Sequence, residues 1–168
     1  MAHSLYDSTI VMAKGALTSL DRIITQAEKH ENSATFFTSR LTEDMNPLPF
    51  QVHYATFSAQ AVAAALAGHD YEEPEEDLDS YEKMHARINE AIEELDKADK
   101  ESVNSDSETI TTFYFHERKM EVPVKSVVCL KNMPNVYFHV SMAYAILRKE
   151  GVPLGKRDWS RGFVTGYV

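Results

Sequence analysis

The run from Asn132 to Gly151, NMPNVYFHVSMAYAILRKEG, constrains this chain most. Its apolar residues fall on nearly every side of a helix, and such a helix belongs in the middle of a bundle rather than on its surface. One histidine, His139, sits inside that apolar run. Asn132 is placed to cap the helix, and Pro134 suits a first turn, where a missing amide hydrogen has no partner to lose. Gly151 closes the helix, and Pro153 prevents its continuation.

Three further helices follow from the spacing of apolar residues. Between Ser4 and about His30, Tyr6, Ile10, Ala13, Leu17, Leu20, Ile24 and Ala27 recur at alternating gaps of four and three, the mark of one buried stripe. Ser4 can cap this helix, with Asp7 three residues on as a weak capping box, and Lys29 and His30 suit its negative end. After a polar break, ATFFTSRL is long enough for one or two helical turns. Pro47 and Pro49 are tolerated only in a first turn, so helix two starts at about Pro47 with Asn46 as its cap. It runs through Phe50, Tyr54, Phe57, Ala61 and Ala64 to a stop at Gly68, and its alanines let a neighbour approach closely. Helix three carries Leu78, Tyr81, His85, Ile88, Ile92 and Leu95, with Asp77 or Asp79 as cap. From Thr109 to Val128 the helical period is lost, and Thr, Val and aromatic residues predict two short strands around His116 to Lys119, with Pro123 on an edge. This hairpin is expected across one end of the bundle. In the tail, Trp159, Phe163 and Tyr167 are anchors for the bundle or for a partner chain.

At 168 residues and 43% hydrophobic content the chain predicts one domain, 1–168, with a full core. No apolar run approaches the roughly 20 residues of a membrane span, and the start lacks the pattern of a secretory signal, so the expected address is cytoplasmic. The single cysteine, Cys129, leaves no internal disulfide and no thiolate cluster, and is expected to be buried. Seventeen basic against 26 acidic residues give a net charge of -9, which repels polyanions, so neither nucleic acid nor a membrane is an expected partner. His69 to Asp79, HDYEEPEEDLD, reads as a solvated loop and helix start, without the ligand spacing of a calcium loop.

Three stretches carry a resemblance over essentially the whole chain: SLYD, RLTEDMNPLPFQVHYA and MPNVYFHVSMAYAILRKEGVPLGKRDW. Together they resemble a fungal and bacterial family catalogued as domain of unknown function nineteen ninety-three, related to the DinB and YfiT four-helix bundles. The resemblance implies a mainly α, DinB-like four-helix bundle with its second and third helices parallel, here with a small β-hairpin between helices three and four, and often a dimer. Family-like positions are Asp44, Pro47, Gln51, Asn135, His139, Tyr144, Arg148, Lys156 and Asp158. Many of the wider group hold a divalent metal through one histidine on the second helix and two, four apart, on the fourth. Here Ala143 lies four residues after His139 and Asn135 four before it, and His53 stands where the family more often has glutamine.

Candidate chemistry comes from inward stripes and from helix ends. His53, His85 and His139 lie on or beside the inward stripes of three helices, the donor set a zinc, nickel or iron site would use. Depth argues against their meeting: if helices two and four are antiparallel, His53 matches Tyr144 or Arg148 better than His139, an offset of roughly 8 Å at 1.5 Å per residue. Asp44 and Gln51 at one helix start, and Arg148 and Lys156 at one helix end, predict an ion pair that pins the termini, or else a charged rim above an apolar pocket. Tyr54, Tyr137, Tyr144, His53 and His139 are the candidate proton donors and acceptors. The leading expectation is a small-molecule-binding bundle, with acid and base chemistry such as isomerisation, cyclisation or dehydration. The alternatives are a divalent-metal enzyme of the DinB type and a non-catalytic homodimeric interaction protein.

Overall fold

The computed structural model describes residues 4–115 and 117–164. The expectations for His116 and Tyr167 lie outside these residues. Ser4 caps a short first turn, α1 (Leu5–Ser8), by accepting from the Asp7 amide, and its hydroxyl donates to the Asp7 carboxylate at 2.7 Å. Thr9, at φ -122° and ψ -73°, breaks the path, so the expected first helix is α1 followed by α2 (Ile10–Glu28). A 3-10 segment, Ser33–Thr38, buries Phe36 completely.

Helix α3 (Leu48–Leu66) starts after Pro47, without a side-chain cap, and ends ahead of Gly68, whose φ of +80° suits glycine. Helix α4 (Tyr81–Asp96) is capped by Ser80, whose side chain accepts from the Lys83 amide. The aspartates expected to cap it, Asp77 and Asp79, instead pair with the Lys83 and Arg87 side chains. After α5 (Lys100–Ser105), strands β1 (Ile110–Phe115) and β2 (Arg118–Pro123) pair antiparallel, with Ile110 opposite Pro123 and Phe113 opposite Met120. Pro123 ends its strand, as a residue without an amide hydrogen should.

The last long helix is longer than expected. α6 (Val124–Val127), a wide π turn (Val128–Asn132) and α7 (Met133–Lys149) run on without a break. Asn132, at φ -69° and ψ -51°, therefore lies within the helix and does not cap it. Pro134 lacks the amide hydrogen that would bond to the carbonyl of residue 130, and its ring crowds that carbonyl, so the helix widens just before it. Cys129 falls on this turn and is exposed, not buried. Beyond Gly151, at φ +92°, a short α8 (Lys156–Ser160) begins where the Gly155 amide donates to the Asp158 carboxylate at 2.7 Å.

The four long helices form a ring in the order α2, α4, α3, α7. Side chains set the directions. Asp21 on α2 meets His85, and Lys14 meets Asp96, so α2 and α4 are antiparallel. His53 meets Arg87 near the starts of α3 and α4, while Ala63 and Leu66 share a hollow with Glu94 and Lys97 near their ends, so these two are parallel. The centre of the bundle is α3 rather than α7: 13 of its 19 residues are buried, against seven of 17 in α7. The reason lies in its small residues, since Ala55, Ala59, Ala63 and Ala64 let neighbours close in on several sides. No helix among the described residues is long and apolar enough to cross a membrane.

Candidate functional site

Gln51, one turn into α3, is 2% exposed. Its amide nitrogen donates to the Asn46 carbonyl at 2.9 Å, and its amide oxygen meets His139 Nδ1 at 2.9 Å. A backbone carbonyl can only accept, so the NH2 group faces Asn46 and the oxygen faces the imidazole. His139 Nδ1 must then carry the proton, and Nε2 holds a lone pair with no protein partner among the described residues. Burial, with the nearby His53 adding to it, lowers the His139 pKa to about 4. The imidazole is therefore neutral at physiological pH and presents one fixed acceptor.

Aromatic rings surround that acceptor. The Tyr54 ring lies 5.2 Å from the imidazole, Phe50 at 6.0 Å and Phe138 edge-on at 5.1 Å, centroid to centroid. Phe138 is 52% exposed, a large apolar ring facing water beside a buried imidazole. Burial, followed by the charge of Glu73, raises the Tyr54 pKa, so its phenol stays protonated.

A second polar chain borders the first. His53 is completely buried on α3; its Nε2 donates to Glu73 at 3.1 Å, and its Nδ1 accepts from Arg87 on α4 at 3.4 Å. The Tyr54 hydroxyl donates to the other oxygen of Glu73 at 3.4 Å. Arg87 also donates to Asp77 at 2.8 Å and to the Glu75 carbonyl at 3.2 Å. The acidic stretch is thus more than a solvated loop: Glu73, Glu75 and Asp77 fasten it across the starts of α3 and α4.

The model of the family described as Domain of unknown function (DUF1993) matches residues 5–160. The chain belongs to that family. A solved structure of a DinB family member from Shewanella denitrificans is similar at 25% identity, covering 92% of this chain and 90% of that one, with a TM-score of 0.81. A search of the curated proteins finds no match. The fold is accordingly DinB-like, mostly helical with a small antiparallel hairpin.

The DUF1993 positions fall into different places. His139 meets the level of Gln51 and Tyr54, not that of residues nearer the helix end, which overturns the expected 8 Å offset. His85 stands apart, held by Asp21 at 2.5 Å on the α2 side of α4. Tyr137 points toward Phe163, 6.2 Å away, and burial raises its pKa. Tyr144 packs partly buried against the core. Asp44 is exposed and accepts from the Thr42 hydroxyl, which lowers its pKa. Arg148 and Lys156 are exposed and make no ion pair among the described residues. The two ends are tied instead by Lys149, which donates to the Arg40 carbonyl at 2.8 Å.

The donor set does not fit a divalent metal held as in the wider group. His139 offers one nitrogen, Gln51 occupies the other, Ala143 and Asn135 flank it on α7, and His53 is engaged at both nitrogens. Among the described residues no three His, Cys, Asp or Glu side chains converge. Sequence reasoning missed Glu73, Arg87 and Phe138. The available signal was Arg87 itself, a cation three residues after Met84 and four before Ala91, both of them buried residues of α4.

Proposed function

We propose that this protein binds a small organic molecule on the aromatic face formed by Phe50, Tyr54 and Phe138, with His139 Nε2 accepting a hydrogen bond from it. The observation that carries this reading is the Asn46–Gln51–His139 chain, which fixes the tautomer and leaves the outward lone pair unused. His139 is 8% exposed, so this acceptor opens outward from an otherwise buried ring. A ligand with an aromatic or aliphatic body and one donor group would satisfy it. The Tyr54 phenol beside it gives its one proton to Glu73 in a long 3.4 Å bond; turned from Glu73 to the bound molecule, it would face the His139 acceptor as a donor, an arrangement that also suits proton transfer within that molecule, as in an isomerisation, cyclisation or dehydration. The test is a screen of phenols, anilides and indoles, followed by the 15N shift of His139 Nε2. Saturable movement that disappears in His139→Leu supports the reading; no compound that moves it defeats it.

A second reading is favoured by Phe138. A half-exposed phenylalanine on this face suits a homodimer that covers it, the interaction role without catalysis. Sedimentation then gives a dimer for the wild type and a monomer for Phe138→Glu; a monomeric wild type defeats this reading.

A further inference from the structure

A separate cleft of about 610 Å³ lies beyond Phe57, between the second half of α3, the β-hairpin and the π turn. Ala61 and Ala65 form its floor, and Phe57, Tyr71 and Phe113 supply aromatic walls. The volume falls within the roughly 300–1,000 Å³ of small-molecule sites. The Phe57 ring, 5.8 Å from Tyr54 and 5.9 Å from Tyr71, separates it from the His139 face.

Asn132 lines this cleft at 7% exposure, and its side-chain amide makes no hydrogen bond among the described residues. Within a continuous helix Asn132 has no cap to make, and it stands among the residues that line the cleft. With no protein partner to displace, that amide is open to a hydrogen bond from a molecule in the cleft. Charges of both signs also line the cleft without compensation. Lys131 sits over the Phe113 ring at 5.9 Å and has no carboxylate partner among the described residues. Asp70 and Asp106 line the cleft with no cationic partner there.

From these features we infer that the cleft binds an aromatic zwitterion of about dipeptide size. Its carboxylate meets Lys131 and Asn132, its amine meets Asp70 or Asp106, and its rings rest on Phe57 and the alanine floor. A purely anionic ligand would leave the aspartates opposed, and a purely cationic one would leave Lys131 opposed.

The test is isothermal titration of the full chain with the dipeptide Phe-Phe, its N-acetylated form and its C-terminal amide. One Phe-Phe per chain is expected, with binding at least tenfold weaker for either blocked form and for Lys131→Glu, and lost in Ala61→Trp. The Asn132 side-chain amide signals move on binding, and His139→Leu binds as the wild type does, which keeps this site independent of the His139 face. Lys131 is exposed, so its substitution leaves the fold intact even where Ala61→Trp does not fold. The inference is overturned by absence of saturable binding, by blocked dipeptides binding as well as the free one, or by binding that Lys131→Glu leaves unchanged.

Discussion

Gln51 decides what His139 can do, because an amide anchored to a backbone carbonyl turns an imidazole with two equivalent options into one with a single free acceptor. Replacing it by leucine strands the buried Nδ1–H, which should cost about 1–3 kcal/mol in chemical denaturation. The low pKa has its own consequence. His139 holds its proton only below about 4 in the folded chain, whereas an unfolded histidine does so below about 6.5. Between those values the unfolded chain binds more protons, so stability contributed by this group falls as pH drops from about 6.5 to about 4 and is level above. Denaturation across pH 4 to 8 should show that slope, and it should flatten in His139→Gln. The sequence made His139, Gln51 and Tyr54 visible as candidates through their place in an apolar helix and a family-like pattern. It could not show that they meet each other while His85 does not, because that depends on which neighbour each helix face adopts.

At the scale of elements, most helix spans were legible because apolar spacing and Gly or Pro punctuation act locally. The exceptions have physical causes. Serine outcompetes aspartate as the cap of α4 because Asp77 and Asp79 are drawn to the cations of Lys83 and Arg87. Ser80→Ala should therefore cost about 0.5–2 kcal/mol, while Asp79→Ala, removing only a surface pair, should cost about 0–1 kcal/mol. Thermal unfolding of the two variants checks the order. Pro134 looked like the start of a helix, since proline is most at ease there. Tertiary packing instead buries Val124 and Val128 and carries the helix backward through a widened turn.

The whole molecule is closed by its C-terminal segment, which lies on α2 through two glycines. A Cβ at Gly15 would stand 2.9 Å from the Phe163 ring, and one at Gly162 would run into the Gly15 carbonyl and the Ser19 amide. The Gly162 amide donates to the Ser19 hydroxyl at 3.0 Å. Gly162→Ala should lift this segment, and because Trp159 packs on Phe163 at 5.1 Å and is the sole tryptophan, its emission should shift to the red. An unchanged spectrum would refute that docking. The same interlocking of distant segments creates the site, since the Asn46 loop, α3 and α7 must all be in register for one imidazole nitrogen to be left free. The most direct test of the account is long-range 1H–15N NMR of His139 in the intact chain between pH 5 and 8. The account predicts a neutral ring protonated at Nδ1 throughout, with Nε2 carrying the lone pair. A ring protonated at Nε2, or one that titrates near pH 6.5, would contradict it.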